Sequence, residues 1–65
     1  MWMKPRIKEL MDAKGLKQKW VAEQMGVSQQ LISDWSNGRV YPRIDKAYKL
    51  CTIIGCRIEE LYEED

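Results

Sequence analysis

Met25-Gly26-Val27-Ser28-Gln29-Gln30-Leu31-Ile32-Ser33-Asp34-Trp35-Ser36-Asn37-Gly38-Arg39 spells turn, short helix, turn. Gly26 can take the left-handed conformation that ends one helix, and Ser28, two residues on, is a good N-cap for the next. Two helices are therefore expected to meet at a sharp angle. On a helical wheel started at Gln29, Leu31, Ile32, Trp35 and the cap Ser28 fall between about 200° and 300°, a single apolar face. Gln29, Gln30, Ser33, Asp34 and Asn37 occupy about 0° to 140°. That outer face carries amides, a hydroxyl and one carboxylate, without the Lys and Glu of a merely solubilising surface.

Side chains of this kind donate and accept at neighbouring atoms, as do base edges in the DNA major groove, where a Gln amide pairs bidentately with adenine N6 and N7. Taken alone, the same face also fits an ordinary polar surface helix. The rest of the chain has to discriminate.

At 65 residues the sequence is expected to form one domain, residues 1–65, burying about 60% of the surface it would expose unfolded. Aliphatic and helix-forming residues dominate and prolines are few, which favours an all-α packing. The opening Met1-Trp2-Met3-Lys4 runs straight into a charged amphipathic segment, and no apolar run approaches the roughly 18 residues of a membrane span. A cytoplasmic location without membrane contact is expected. Cys51 and Cys56 stand in a chain without histidine and without a CxxC pair, so disulfide and metal readings are both weak, and Cys51 is expected to act as a small buried hydrophobe.

The net charge of +1 hides an asymmetry. Residues 1–49 hold ten Lys/Arg against five Asp/Glu, a balance of +5, whereas residues 50–65 hold one Arg against five acids, a balance of −4. A basic face toward phosphates and an acidic tail turned away would produce this pattern, and a solvated charge run explains the tail equally well.

Periodicity and punctuation predict five helices. The first spans about Met3 to Lys14, with Pro5 in its first turn and Ile7, Leu10 and Met11 inward. The second begins near Leu16 and carries Gln18, Val21, Ala22 and Met25 on one face. The third is the opening segment, closed by Asn37-Gly38. The fourth lines up Ile44, Ala47, Tyr48, Leu50, Cys51 and Ile54 and stops at Gly55. A short fifth, Arg57 to about Glu63, offers Ile58, Leu61 and Tyr62. No strand-like alternation is long enough to assign.

Several motifs stand in order at fixed spacing: Arg6-Ile7-Lys8-Glu9-Leu10, Gly15-Leu16-Lys17-Gln18, Val21-Ala22, Gly26-Val27-Ser28-Gln29, Ile32-Ser33, Trp35, Asn37-Gly38-Arg39, Pro42, Leu50-Cys51, Ile54-Gly55 and Glu59-Glu60-Leu61. Over nearly its whole length the chain thereby resembles the phage repressor/Cro-type (Xre family) helix-turn-helix domain. The resemblance implies a compact five-helix, lambda-repressor-like bundle whose second and third helices bind DNA, the third entering the major groove. It implies Gln29, Gln30, Ser33 and Asp34 as base-contacting residues and Lys17, Gln18, Asn37, Gly38, Arg39 and Arg43 as phosphate-contacting ones, with Gln18 bracing Gln29 and Arg43 reaching toward the minor groove.

Departures from the family pattern sharpen the expectation. Lys17, Arg43 and Arg57 stand where relatives carry helix-capping side chains, each cap being worth about 1 kcal/mol. Asp34 faces repulsion from phosphate unless it accepts from cytosine N4 or braces a neighbour. Trp20, at about 200° on the second-helix wheel, is expected to be exposed, either packing on an adjacent helix or meeting phosphate or a partner. Trp2 is expected to cover the fifth helix. Ile53, on the polar side of the fourth helix, is a candidate dimer contact.

These readings predict a sequence-specific, double-stranded DNA-binding transcriptional regulator, a repressor acting on an operator, with a weak homodimer formed or strengthened on DNA. The alternative is a protein-interaction module such as an antitoxin-like domain, using Trp2, Trp20, Ile53 and the acidic tail. With no histidine, no activated nucleophile and no phosphate-cradling glycine loop, an enzyme is not expected, nor a cofactor, a metal or a small-molecule substrate.

Overall fold

The structure is a computed structural model that describes residues 3–64. Its elements are β1 (Met3–Pro5), α1 (Ile7–Ala13), α2 (Gln18–Met25), α3 (Gln29–Ser36), α4 (Ile44–Ile54), a single 3₁₀ turn (Ile58–Glu60) and β2 (Tyr62–Glu64). The middle of the chain follows the predicted punctuation. Gly26 and Gly55 close α2 and α4 with φ of 72° and 83°, values that cost an L side chain strain.

Both ends differ from expectation, and the five-helix bundle is corrected to four α-helices with a two-stranded antiparallel sheet. The predicted first helix loses its first turn to β1, and the predicted fifth helix becomes the 3₁₀ turn followed by β2. Met3 pairs with Glu64, Lys4 with Glu63 and Pro5 with Tyr62. One local cause acts at the first end: a residue preceding proline is biased to extended backbone, which turns Lys4 away from helix, while Pro5 has no N–H to extend the ladder. Pairing instead satisfies both termini, and the Arg6 N–H continues it by donating to the Leu61 carbonyl at 2.7 Å. The expectation for Trp2 lies outside the described residues.

Ile7 and Met11 of α1, Val21, Ala22 and Met25 of α2, Ile32 and Trp35 of α3, Ala47, Leu50, Cys51 and Ile54 of α4, and Leu61 form one buried cluster. Among the described residues no polar or charged side chain is buried with them. Cys51 sits there as expected of a small hydrophobe. Ile44 and Tyr48 do not: they are 67% and 56% exposed, because the buried stripe of α4 is centred on Leu50 and Ile54, and both lie beside it on the wheel. Ile53 is half-buried against the cluster. Lys14 ties α1 to the far end of α4, its Nζ donating at 2.8 Å to the carbonyl of Gly55, where the negative end of the helix dipole lies.

Candidate nucleic-acid interface

The presentation of α3 begins in the turn before it. After Gly26, the Val27 N–H donates back to the Ala22 carbonyl at 3.0 Å, and Ser28 is extended with its Oγ accepting from the Leu31 N–H at 3.1 Å. The cap fixes where α3 starts, and burial of Ile32 and Trp35 fixes its rotation. Gln29 and Gln30 are consequently exposed and Ser33 and Asp34 half-buried on the outer side.

There, Gln29, Gln30 and Ser33 join Gln18, the first residue of α2, around an open concavity of about 340 Å³. Gln18 and Gln29 share this space, but no hydrogen bond joins them among the described residues. Lys17, immediately before, is the N-cap of α2 and provides no side-chain acceptor. The first N–H groups of α2 are thus left without a side-chain cap, beside a cation, a combination suited to an anion.

Hydrogen bonds organise the remaining outer residues. Asp34 Oδ1 accepts from Gln30 Nε2 at 3.0 Å and from Arg39 Nη1 at 3.2 Å, and the Asp34 carbonyl accepts from the Arg39 N–H at 3.0 Å. The carboxylate therefore braces a glutamine and a cation while its charge is paired. Asn37 Nδ2 donates to Ser33 Oγ at 3.3 Å, leaving the Ser33 hydroxyl proton free to donate elsewhere. Of the four predicted base readers only Gln29 makes no side-chain hydrogen bond among the described residues. Gly38 turns the chain with φ of 74° just before Arg39.

The fold thus brings Gln18, Gln29, Gln30 and Ser33 to one concavity and links Asp34, Asn37 and Arg39 to that group. Lys17 adjoins it through the chain. Arg43, the exposed N-cap of α4, has no hydrogen bond to any of them among the described residues, and neither Arg43 nor Lys17 has an ion-pair partner there.

Trp20 is 43% exposed on α2, as its wheel position predicts. What sequence reasoning missed is the exposure of Val40, Tyr41, Ile44 and Tyr48. Tyr41 is also structural, because it stacks on Tyr62 with ring centroids 5.3 Å apart and its hydroxyl donates to the Met3 carbonyl. The i, i+4 spacing of Ile44 and Tyr48 was visible, but it fits a core edge as well as a surface stripe. Among the described residues no group of three or more His, Cys, Asp or Glu is placed to hold a metal ion, and no helix is long and apolar enough to cross a membrane.

A family model for the Cro/C1-type HTH DNA-binding domain matches residues 6–64. An uncharacterized HTH-type transcriptional regulator from Archaeoglobus fulgidus is 32% identical over 60 residues, covering 92% of this chain and 86% of that protein. Among solved structures, a protein from Bacteroides fragilis described as a candidate DNA-binding protein superposes with a TM-score of 0.90 at 31% identity, over 95% of this chain and all of its own. The restriction-modification controller protein of Aeromonas hydrophila gives 0.77 at 27% identity, with 85% of this chain and 83% of that one covered.

Proposed function

The chain belongs to the Cro/C1-type helix-turn-helix DNA-binding family, and from that premise we propose that it is a sequence-specific regulator, a repressor, that inserts α3 into the major groove of double-stranded DNA. The observation that carries this reading is the concavity shared by Gln18, Gln29, Gln30 and Ser33, which takes in the first residue of α2 and is linked through Asp34 to Arg39. Gln29, whose side-chain amide has no hydrogen-bond partner among the described residues, is the principal base reader. Gln30 and Ser33 read with the hydrogen-bonding capacity their internal bonds leave, and Asp34 acts by holding Gln30 and Arg39 in place. Lys17, Gln18, Asn37, Gly38, Arg39 and Arg43 contact phosphate and fix the register.

A weak homodimer forms on DNA, its two α3 helices about 34 Å apart, one turn of the duplex. Sedimentation is expected to give a monomer at micromolar concentration without DNA; a tight dimer in free solution would refute this.

The test is selection of sites from random DNA, followed by binding of variants to the selected site. Gln29→Ala should relax preference at one base pair, at a cost of about 1–3 kcal/mol, and Arg39→Ala should weaken binding across sequences and lower the salt slope by about 1. If both variants bind like the parent, the docking mode is wrong. A second reading, a protein-interaction module, draws support from the exposed Trp20, Tyr41, Ile44 and Tyr48, and absence of any selected DNA site would favour it.

A further inference from the structure

The end of α4 holds a feature that the DNA-binding reading does not use. Gly55, at positive φ, and Cys56 after it both donate their N–H groups to the Cys51 carbonyl, at 2.7 and 3.0 Å. In a six-residue helix cap of this kind a hydrophobic contact between the first and last side chains is frequent. Here both are cysteines, and both are free thiols. With a 3.0 Å bond between the Cys51 carbonyl and the Cys56 N–H, standard bond lengths keep the two Cα atoms within about 7 Å, the limit for bridging without backbone movement. Cys51 is buried and Cys56 half-buried, so a reachable thiol lies beside a protected one.

We propose that Cys51 and Cys56 form a dithiol modification site, oxidised by a hydroperoxide to an intramolecular disulfide across the α4 cap. The Cys56 sulfur, as thiolate, attacks a peroxide oxygen; the O–O bond breaks, leaving a sulfenic acid on Cys56 and releasing water after proton uptake. The Cys51 sulfur then displaces hydroxide from the sulfenic sulfur, and the proton that leaves Cys51 makes the second water. Two thiols and one hydrogen peroxide thus give one disulfide and two waters, with two electrons passed to the peroxide. The order follows from the surroundings. Burial, the Cys56 thiol and the nearby Glu60 and Glu59 push the Cys51 thiol up to about 12, so Cys51 does not start the reaction and serves as the resolving thiol.

The experiment treats the reduced full chain with hydrogen peroxide, blocks the remaining thiols with iodoacetamide and digests with trypsin without reductant. Lys49 and Arg57 bracket the pair, so residues 50–57 leave as one peptide containing both cysteines. The expected product is that peptide two hydrogens lighter than its reduced form, unalkylated, from a monomeric chain whose helical circular dichroism is unchanged, and restored by dithiothreitol. Cys51→Ala should divert Cys56 to oxygen adducts or disulfide-linked dimers, whereas Cys56→Ala should leave Cys51 unmodified over the same exposure. Oxygen adducts or linked dimers as the main product of the parent chain, or loss of helical signal on oxidation, would overturn the proposal.

Discussion

The α2–turn–α3 unit and the ribbon that joins the two ends of the chain are stabilised in opposite ways. In the first, the bounds are set within a few residues, Gly26 ending one helix and Ser28 starting the next, and only the rotation of α3 is left to the burial of Ile32 and Trp35. In the second, Met3–Pro5 is extended because Tyr62–Glu64 lies beside it, and neither strand has an internal reason strong enough to fix it. A unit built from local signals can hold a polar surface in a defined position, because its backbone does not depend on that surface. A ribbon built from distant pairing serves closure.

The largest expected effect tests the first half of this contrast. Ile32 is fully buried where α3 meets the core, and Ile32→Ala should cost about 2–5 kcal/mol. In a small domain whose total stability is of the order of 5 kcal/mol, urea denaturation should find much of the variant unfolded at room temperature, with DNA binding lost in parallel. Retention of a near-parental urea midpoint would mean that α3 is not held by its buried face.

The second prediction addresses the ribbon. Tyr41→Ala removes the stack on Tyr62 and the hydrogen bond to the Met3 carbonyl, together worth about 1–2 kcal/mol. Hydrogen exchange should show the Arg6 amide, which donates to Leu61, losing protection while amides in α2 and α3 keep most of theirs. Equal loss in both regions would abolish the distinction drawn between them.

The same difference governs what could be seen in the sequence. Gly26, Ser28, Asn37-Gly38 and Gly55 act on their immediate neighbours, so the bounds of α3 and the end of α4 were legible. A three-residue strand has no period to detect, and Pro5, which the first turn of a helix tolerates, masks the extended bias it places on Lys4. Ile44 and Tyr48 were misassigned because a wheel gives angle, not the width of the buried stripe. At the candidate site the outward placement of Gln29, Gln30, Ser33 and Asp34 was legible from the wheel, but the bonds from Gln30 and Arg39 to one oxygen of Asp34 depend on rotamers that no spacing rule specifies.

Ser28→Ala is a smaller test of local control. Loss of the bond from the Leu31 N–H to Ser28 Oγ should cost about 1 kcal/mol, and Ser28→Asp should recover most of it. Thermal unfolding reads the difference. If Ser28→Asp is no better than Ser28→Ala, the start of α3 is set by tertiary packing and not by its cap.

The smallest effect at neutral pH is the most informative about the ribbon. The Tyr62 hydroxyl is buried without a hydrogen-bond partner among the described residues, so Tyr62→Phe removes an unsatisfied group and should be neutral or slightly stabilising at pH 7. At high pH its cost to the folded state grows. Burial, then the neighbouring Tyr41 and Cys51, push the Tyr62 hydroxyl from 10.0 up to about 12, so between these values the unfolded chain releases a proton that the folded chain retains. Ionisation therefore favours unfolding as pH rises from about 10 through about 12, and the stability tied to the neutral phenol is lost over that window. Tyr62→Phe should abolish this part of the alkaline decline. The part due to Cys51, whose thiol is displaced upward from 9.0 to about 12, should remain. Urea midpoints from pH 8 to 12 should thus differ little between parent and variant at the lower end and diverge above pH 10, with the variant the more stable. Parallel curves would show that the ribbon leaves the Tyr62 hydroxyl open to water, and the stack on Tyr41 would then be a surface contact instead of the closure of the fold.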